Sequence, residues 1–93
     1  MLYLVAYDIA DDRARLRVSE TLEAFGTRVQ ESVFECRLDT ADVEDLRVRL
    51  ARALGDALLG QIRAYPVCRD CLRGSFGIGT PPPRVEASVI VIG

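Results

Sequence analysis

The apolar run Leu2-Tyr3-Leu4-Val5-Ala6-Tyr7 has no polar break and stops on Asp8. A short continuous run of this kind reads as a strand buried inside a sheet. Asp11 and Asp12 follow before a helical pattern begins. In open α/β sheets ligands collect at the carboxyl ends of strands, so Asp8 stands where chemistry tends to be placed. The chain has 93 residues, enough for one compact domain and not for two. A two-layer domain of that size leaves much of one sheet face open unless a second copy covers it, so a homodimer is the expectation.

Asp11 or Asp12 can cap a helix that reaches about Phe25, with the carboxylates at the positive end of the helix dipole. Ala14, Val18, Thr21, Leu22 and Phe25 form its stripe. Arg15 flanks that stripe on one side, and Arg13 and Arg17 on the other. Leu16 falls on the far face, either exposed or covered by a partner, and Gly26 stands where the helix would stop. Arg28 to Leu38 reads as one long strand, or as two joined by a bend or bulge near Gln30–Ser32. Asp39 or Thr40 caps a second helix striped by Val43, Leu46, Leu50, Ala53, Leu54 and Ala57. Ile62 to Val67 is a short strand in which Pro66 marks an edge or an end. A further short strand is expected around Leu72–Ile78.

Thr80-Pro81-Pro82-Pro83 is a stiff extended spacer. The β-forming tail Val85–Ile92 behind it suits pairing with the sheet edge of another copy. The order of elements is the ferredoxin-like βαββαβ pattern, an α+β fold. Residues 1–79 are expected to form that domain, and 80–93 the spacer and an extra C-terminal strand that pairs with the other protomer. The pattern hosts many functions and does not choose among them.

Composition narrows the chemistry. No histidine occurs, which removes the commonest general base and the commonest zinc ligand. Any hydrolysis must lean on carboxylates, a metal ion, tyrosine or water. Net charge is −2, but all twelve basic residues are arginine, whose planar guanidinium binds phosphate bidentately. Genomic composition bias is the leading explanation for the missing lysine, so the position of the arginines matters more than their number. Three cysteines, an odd number, argue against a disulfide framework and for a reducing, cytoplasmic setting. The opening run is too short to span a bilayer, so no membrane association is expected.

Asp8 is the candidate metal ligand, because hard divalent cations such as Mg²⁺ or Mn²⁺ take oxygen donors. One aspartate holds such an ion poorly; a two-fold dimer with Asp8 near its axis would supply two. The competing reading has Asp8 merely capping the first helical turn. Arg15, Arg17 and Arg28 could converge on a phosphodiester, or pair with Glu20 and Glu23 on a solvated face. Tyr7 and Phe34 could stack on nucleotides or serve as core. Cys68-x-x-Cys71 offers half a zinc site or a redox pair, a weak signal without further ligands.

Together these residues resemble a known family. Tyr7-Asp8-Ile9-Ala10-Asp11-Asp12-Arg13, then Arg15-Leu16-Arg17-Val18, Arg28-Val29-Gln30-Glu31-Ser32-Val33-Phe34-Glu35-Cys36 and Arg63-Ala64-Tyr65-Pro66-Val67-Cys68 with Cys71-Leu72 look like the CRISPR-associated Cas-two proteins. The resemblance covers nearly the whole chain. It implies a ferredoxin-like homodimer whose terminal strands cross over, with the Asp8 pair binding Mg²⁺ or Mn²⁺. Tyr7, Arg15, Arg17, Arg28 and Phe34 match the family's supporting positions. It further implies a metal-dependent endonuclease on RNA or DNA, and a partner of the Cas-one integrase in spacer acquisition. Three alternatives remain: a non-catalytic scaffold bridging integrase dimers on DNA, a toxin-like small ribonuclease of the same fold, and a ligand-sensing regulatory domain.

Overall fold

The computed structural model describes residues 1–57 and 59–85. The opening run forms β1 (Leu2–Asp8), followed by α1 (Asp12–Glu23), β2 (Gly26–Gln30), β3 (Val33–Arg37), α2 (Thr40–Leu54), β4 (Gln61–Val67) and α3 (Arg69–Arg73). β1 belongs in the middle of the sheet because its apolar run needs cover on both sides. The strand order is β2-β3-β1-β4, and every neighbouring pair is antiparallel. Alternation along the strands then sorts the side chains. Val5 and Tyr7 of β1, with Phe34 and Cys36 of β3, share one face and are buried under the two long helices. Ala14, Val18 and Leu22 descend from α1 to meet them, and Leu46, Leu50 and Ala53 from α2. On the opposite face, Leu4 is half-buried and its cross-strand partner Tyr65 remains 47% exposed. Neither helix covers that side.

Both helix starts follow from short carboxylate side chains that satisfy the first free backbone donors. The Asp11 carboxylate accepts the Ala14 N–H at 2.8 Å. Asp39 accepts from the Asp42 N–H at 2.8 Å, and the Asp42 carboxylate returns a bond to the Asp39 N–H at 3.1 Å. The α1 stripe overran its helix. α1 ends at Glu23, with Ala24 as its cap, and Phe25 packs on the core from the following turn. Gly26 does not stop the helix; it opens β2 where a Cβ would lie 2.2 Å from the Glu35 carbonyl oxygen.

Arg28–Leu38 resolves into two strands, β2 and β3, with a register shift between Arg28 and Gln30. Pro66 lies on β4, which pairs only with β1 among the described strands. The strand expected around Leu72–Ile78 is replaced by helix α3. Cys68 accepts the Cys71 N–H, Leu72 is buried, and Gly74 closes the turn, so local capping overrides the alternating apolar pattern. Phe76 and Ile78, which that strand would have placed in a sheet, are 79% and 86% exposed. Pro81–Arg84 lie beside Leu2, Phe25 and Thr27 around a shared hollow, and the Arg37 guanidinium donates to the Arg84 carbonyl. Of the expected tail strand, only Val85 falls within the described residues. Among these residues no helix is long and apolar enough to cross a membrane.

Candidate nucleic-acid and metal site

The two sides of β1 end at different points. Its pairing with β3 stops at Ala6↔Val33, whereas its pairing with β4 continues to Asp8↔Gln61. One backbone bond, from the Tyr7 N–H to the Ser32 carbonyl at 3.1 Å, closes the β3 side. Asp8 therefore projects past the hairpin into an open hollow of about 610 Å³. Tyr7, Asp12, Arg15, Leu16, Arg28 and Glu31 line it with Asp8. Leu16, left on the far face by the α1 stripe, is 58% exposed at this rim.

Asp8 is exposed, and no described residue hydrogen-bonds or pairs with its carboxylate. It does not cap α1; Asp11 does. Arg15 reaches back from the first turn of α1. Its Nη1 donates to the carbonyls of Ile9 (3.0 Å) and Ala10 (3.2 Å), and its Nη2 pairs with Asp12. Three of its five N–H donors are so engaged, and two remain for a ligand. Arg28 lies 4.9 Å above the Phe34 ring, donates to the Glu31 carbonyl, and stands 4.0 Å from Glu23. The side chains of both arginines are more than two-fifths exposed.

Of the other expected site residues, Phe34 and Tyr7 lie deeper and Arg17 turns aside. Phe34 is fully buried, so within the protomer it meets the hollow only through the guanidinium resting on it. Tyr7 is 7% exposed, its ring 6.4 Å from Phe34, and its hydroxyl donates to the Glu31 carbonyl at 3.2 Å. Arg17 does not reach the hollow: its Nε donates to the Ala53 carbonyl at 2.9 Å and ties α1 to the last turn of α2. The sequence reading missed Glu31, whose carbonyl accepts from both Tyr7 and Arg28. A backbone acceptor carries no side-chain signal, so nothing in the residue pattern could have marked it. The Asp12–Arg15 pair was visible as an i, i+3 spacing.

The donor set suits a hard cation that keeps most of its water. Among the described residues no group of three or more Asp, Glu, Cys or His side chains gathers to hold an ion. With Asp12 taken by Arg15, one protomer offers the carboxylates of Asp8 and Glu31 along this hollow, within the one or two that Mg²⁺ commonly uses.

A family model described as CRISPR associated protein Cas2 matches residues 1–74, which include every residue lining the hollow. The chain belongs to the Cas2 family. A CRISPR-associated endonuclease Cas2 of Thermus thermophilus is 45% identical to this Cas2-family chain over 89 residues, 96% of each protein. A CRISPR-associated endoribonuclease Cas2 of Chloroflexus aurantiacus is 39% identical over 93 residues, covering 99% of this chain and 100% of its own. One chain in a solved partial Cas6-RT-Cas1–Cas2 complex superposes with a TM-score of 0.75 at 28% identity, over 97% of this chain and 98% of that one.

Proposed function

We propose that this Cas2-family chain is a homodimeric CRISPR adaptation protein with a Mg²⁺-dependent endonuclease site at paired Asp8 side chains. The observation that carries the reading is the Asp8 carboxylate, exposed and without a partner among the described residues, beside Arg15 and Arg28. A carboxylate left free among guanidinium groups contributes little to the fold and suits a ligand. The strand order β2-β3-β1-β4 supports the ferredoxin-like arrangement. The uncovered face bearing Leu4 and Tyr65 is of the kind a second copy would cover.

Asp8 from each copy would hold the cation, with Mn²⁺ able to replace Mg²⁺. The bound ion would supply charge to polarise a phosphodiester and to make water more acidic. Arg15 and Arg28 keep donors for the phosphate, and phosphate contact favours backbone over base recognition, on RNA or on DNA. Phe34 and Tyr7 act from below: Phe34 seats Arg28, and Tyr7 fixes the Glu31 carbonyl that Arg28 also uses. Arg17 holds the helix that carries Arg15. A cytoplasmic setting accords with three cysteines in no disulfide.

The test compares the wild type with Asp8→Asn on single-stranded RNA and duplex DNA, with and without chelator. Cleavage should need Mg²⁺ and fall by roughly 10²–10³-fold in the variant, the usual loss of a group that stabilises developing charge. Equal cleavage by both proteins, or cleavage in chelator, removes the catalytic claim. A monomer in sedimentation removes the paired site.

The likeness to a chain of a Cas1–Cas2 complex favours a second reading, in which the dimer bridges Cas-one integrase dimers on DNA without cleaving. Under that reading Asp8→Asn would support normal spacer integration. Loss of integration with an intact complex would count against it.

A further inference from the structure

Cys68 and Cys71 lie outside the site above, and their arrangement has a chemistry of its own. Cys68 ends the connection from β4 and caps α3, while Cys71 sits one turn further on the same face. Their sulfurs are 3.1 Å apart, and the Cys68 sulfur accepts the Cys71 backbone N–H at 3.3 Å. Both side chains are exposed. A disulfide needs the sulfurs about 2.05 Å apart, so the remaining gap is about 1 Å, within reach of side-chain rotation. The third cysteine, Cys36, is fully buried in the sheet. Spacing, contact and exposure thus single out one vicinal pair and leave one enclosed thiol for comparison.

We propose that Cys68 and Cys71 form a redox-active dithiol, oxidised reversibly to an intramolecular disulfide by exchange with a small-molecule disulfide. The Cys68 thiolate attacks one sulfur of the small disulfide, forming a mixed disulfide and releasing one thiol. Cys71 gives its proton to solvent and attacks the Cys68 sulfur, which closes the Cys68–Cys71 bond and releases the second thiol. The protein loses two electrons and two protons, and the small disulfide gains them. The environments fit this division of labour. The hydrogen bond between the sulfurs holds the Cys68 thiol below its usual value of 9.0 and pushes the Cys71 thiol above it. Burial pushes the Cys36 thiol up to about 11, which keeps it protonated and inert.

The site lies at a joint. Val67, immediately before Cys68, is paired with Leu2 at one end of the central strand. Gly74, at the far end of α3, leads into the segment that carries the prolines. A disulfide would close a covalent ring over the first turn of α3 between these two parts.

The experiment equilibrates the full-length protein in buffers of rising oxidised-to-reduced glutathione ratio, quenches with an alkylating agent, and counts free thiols by mass. Two thiols should disappear together with a loss of two hydrogens, in a monomer-linked product, while Cys36 stays alkylatable after denaturation. Cys71→Ser should stop at a persistent glutathione adduct on Cys68. Cys68→Ser should form its adduct several-fold more slowly. Stable adducts on both cysteines of the wild type, or bridges only between chains, would overturn the proposal. So would three free thiols in fully oxidised glutathione. Co-purified zinc that shields both thiols until a chelator is added would make the pair a metal half-site instead, and the redox assignment would fail.

Discussion

The two ends of β1 are finished in opposite ways. At its start, Leu2 is 2% exposed and paired on both sides, with Arg37 and with Val67. The chain terminus is tied as well: the Met1 ammonium donates to the Leu38 carbonyl at 3.0 Å, and the Leu38 N–H returns a bond to Met1 at 2.9 Å. At its finish, Asp8 is paired on the β4 side alone, exposed, with a carboxylate that no described side chain or backbone group satisfies. One strand thus has a closed end and an open end. Groups whose bonding capacity is met inside the protein hold the fold, and groups whose capacity is left outward are available to something else.

Substitutions should separate the ends by their cost in unfolding free energy. Leu2→Ala should cost most, about 2–5 kcal/mol by denaturant titration, since it removes buried methyl groups and leaves a cavity. A cost below about 1 kcal/mol would mean that the closed end is not sealed. Arg17→Met comes next, at about 1.5–3 kcal/mol, because it deletes a charged donor to the Ala53 carbonyl. If Arg17 served a ligand rather than the packing of α1 on α2, stability would stay level and only nucleic-acid affinity would fall.

Tyr7→Phe should cost about 0.5–1.5 kcal/mol, the worth of its bond to Glu31. The ring keeps its place on Phe34, so a larger loss would show that the hydroxyl holds more of the hollow's wall than that bond. Asp8→Asn should change stability least, by no more than about 0.5 kcal/mol, in keeping with an exposed group away from any cap or buried pair. A clear destabilisation would join the two ends of β1 into one structural class. Salt sharpens the contrast further: nucleic-acid binding through Arg15 and Arg28 should weaken steeply with added salt, while the packing at Leu2 should hardly respond.

Much of the frame was legible beforehand. The β1 run, a cap at Asp11 or Asp12 and another at Asp39 or Thr40, and the α2 stripe as far as Leu54 rest on local rules of periodicity and capping; the structure uses Asp11 and Asp39, and Ala57 packs on the core from beyond the helix end. Where local signals competed, the pattern misled. Phe25 continued the α1 spacing although the chain had already turned, because an apolar residue can reach the core from a turn as well as from a helix. At α3, Leu72, Phe76 and Ile78 resembled a strand, and a cysteine cap with one buried leucine made a short helix.

The candidate site was legible in a different sense. Residue types and spacing brought Tyr7, Asp8, Arg15, Arg17, Arg28 and Phe34 forward together, but they did not rank them. Folding separated them by depth. Asp8, Arg15 and Arg28 reach the hollow, Tyr7 forms part of its wall, Phe34 lies beneath Arg28, and Arg17 turns toward α2. The sequence alone determined β1, α1 and α2 and that a carboxylate would stand at the end of the opening strand, since these follow from interactions within a few residues. Only the tertiary structure decided which side chains share the hollow and which backbone carbonyls hold them, because those partners come from segments far apart along the chain. Arg17 and Ala53, 36 positions apart, meet only after α1 and α2 have packed on the same sheet.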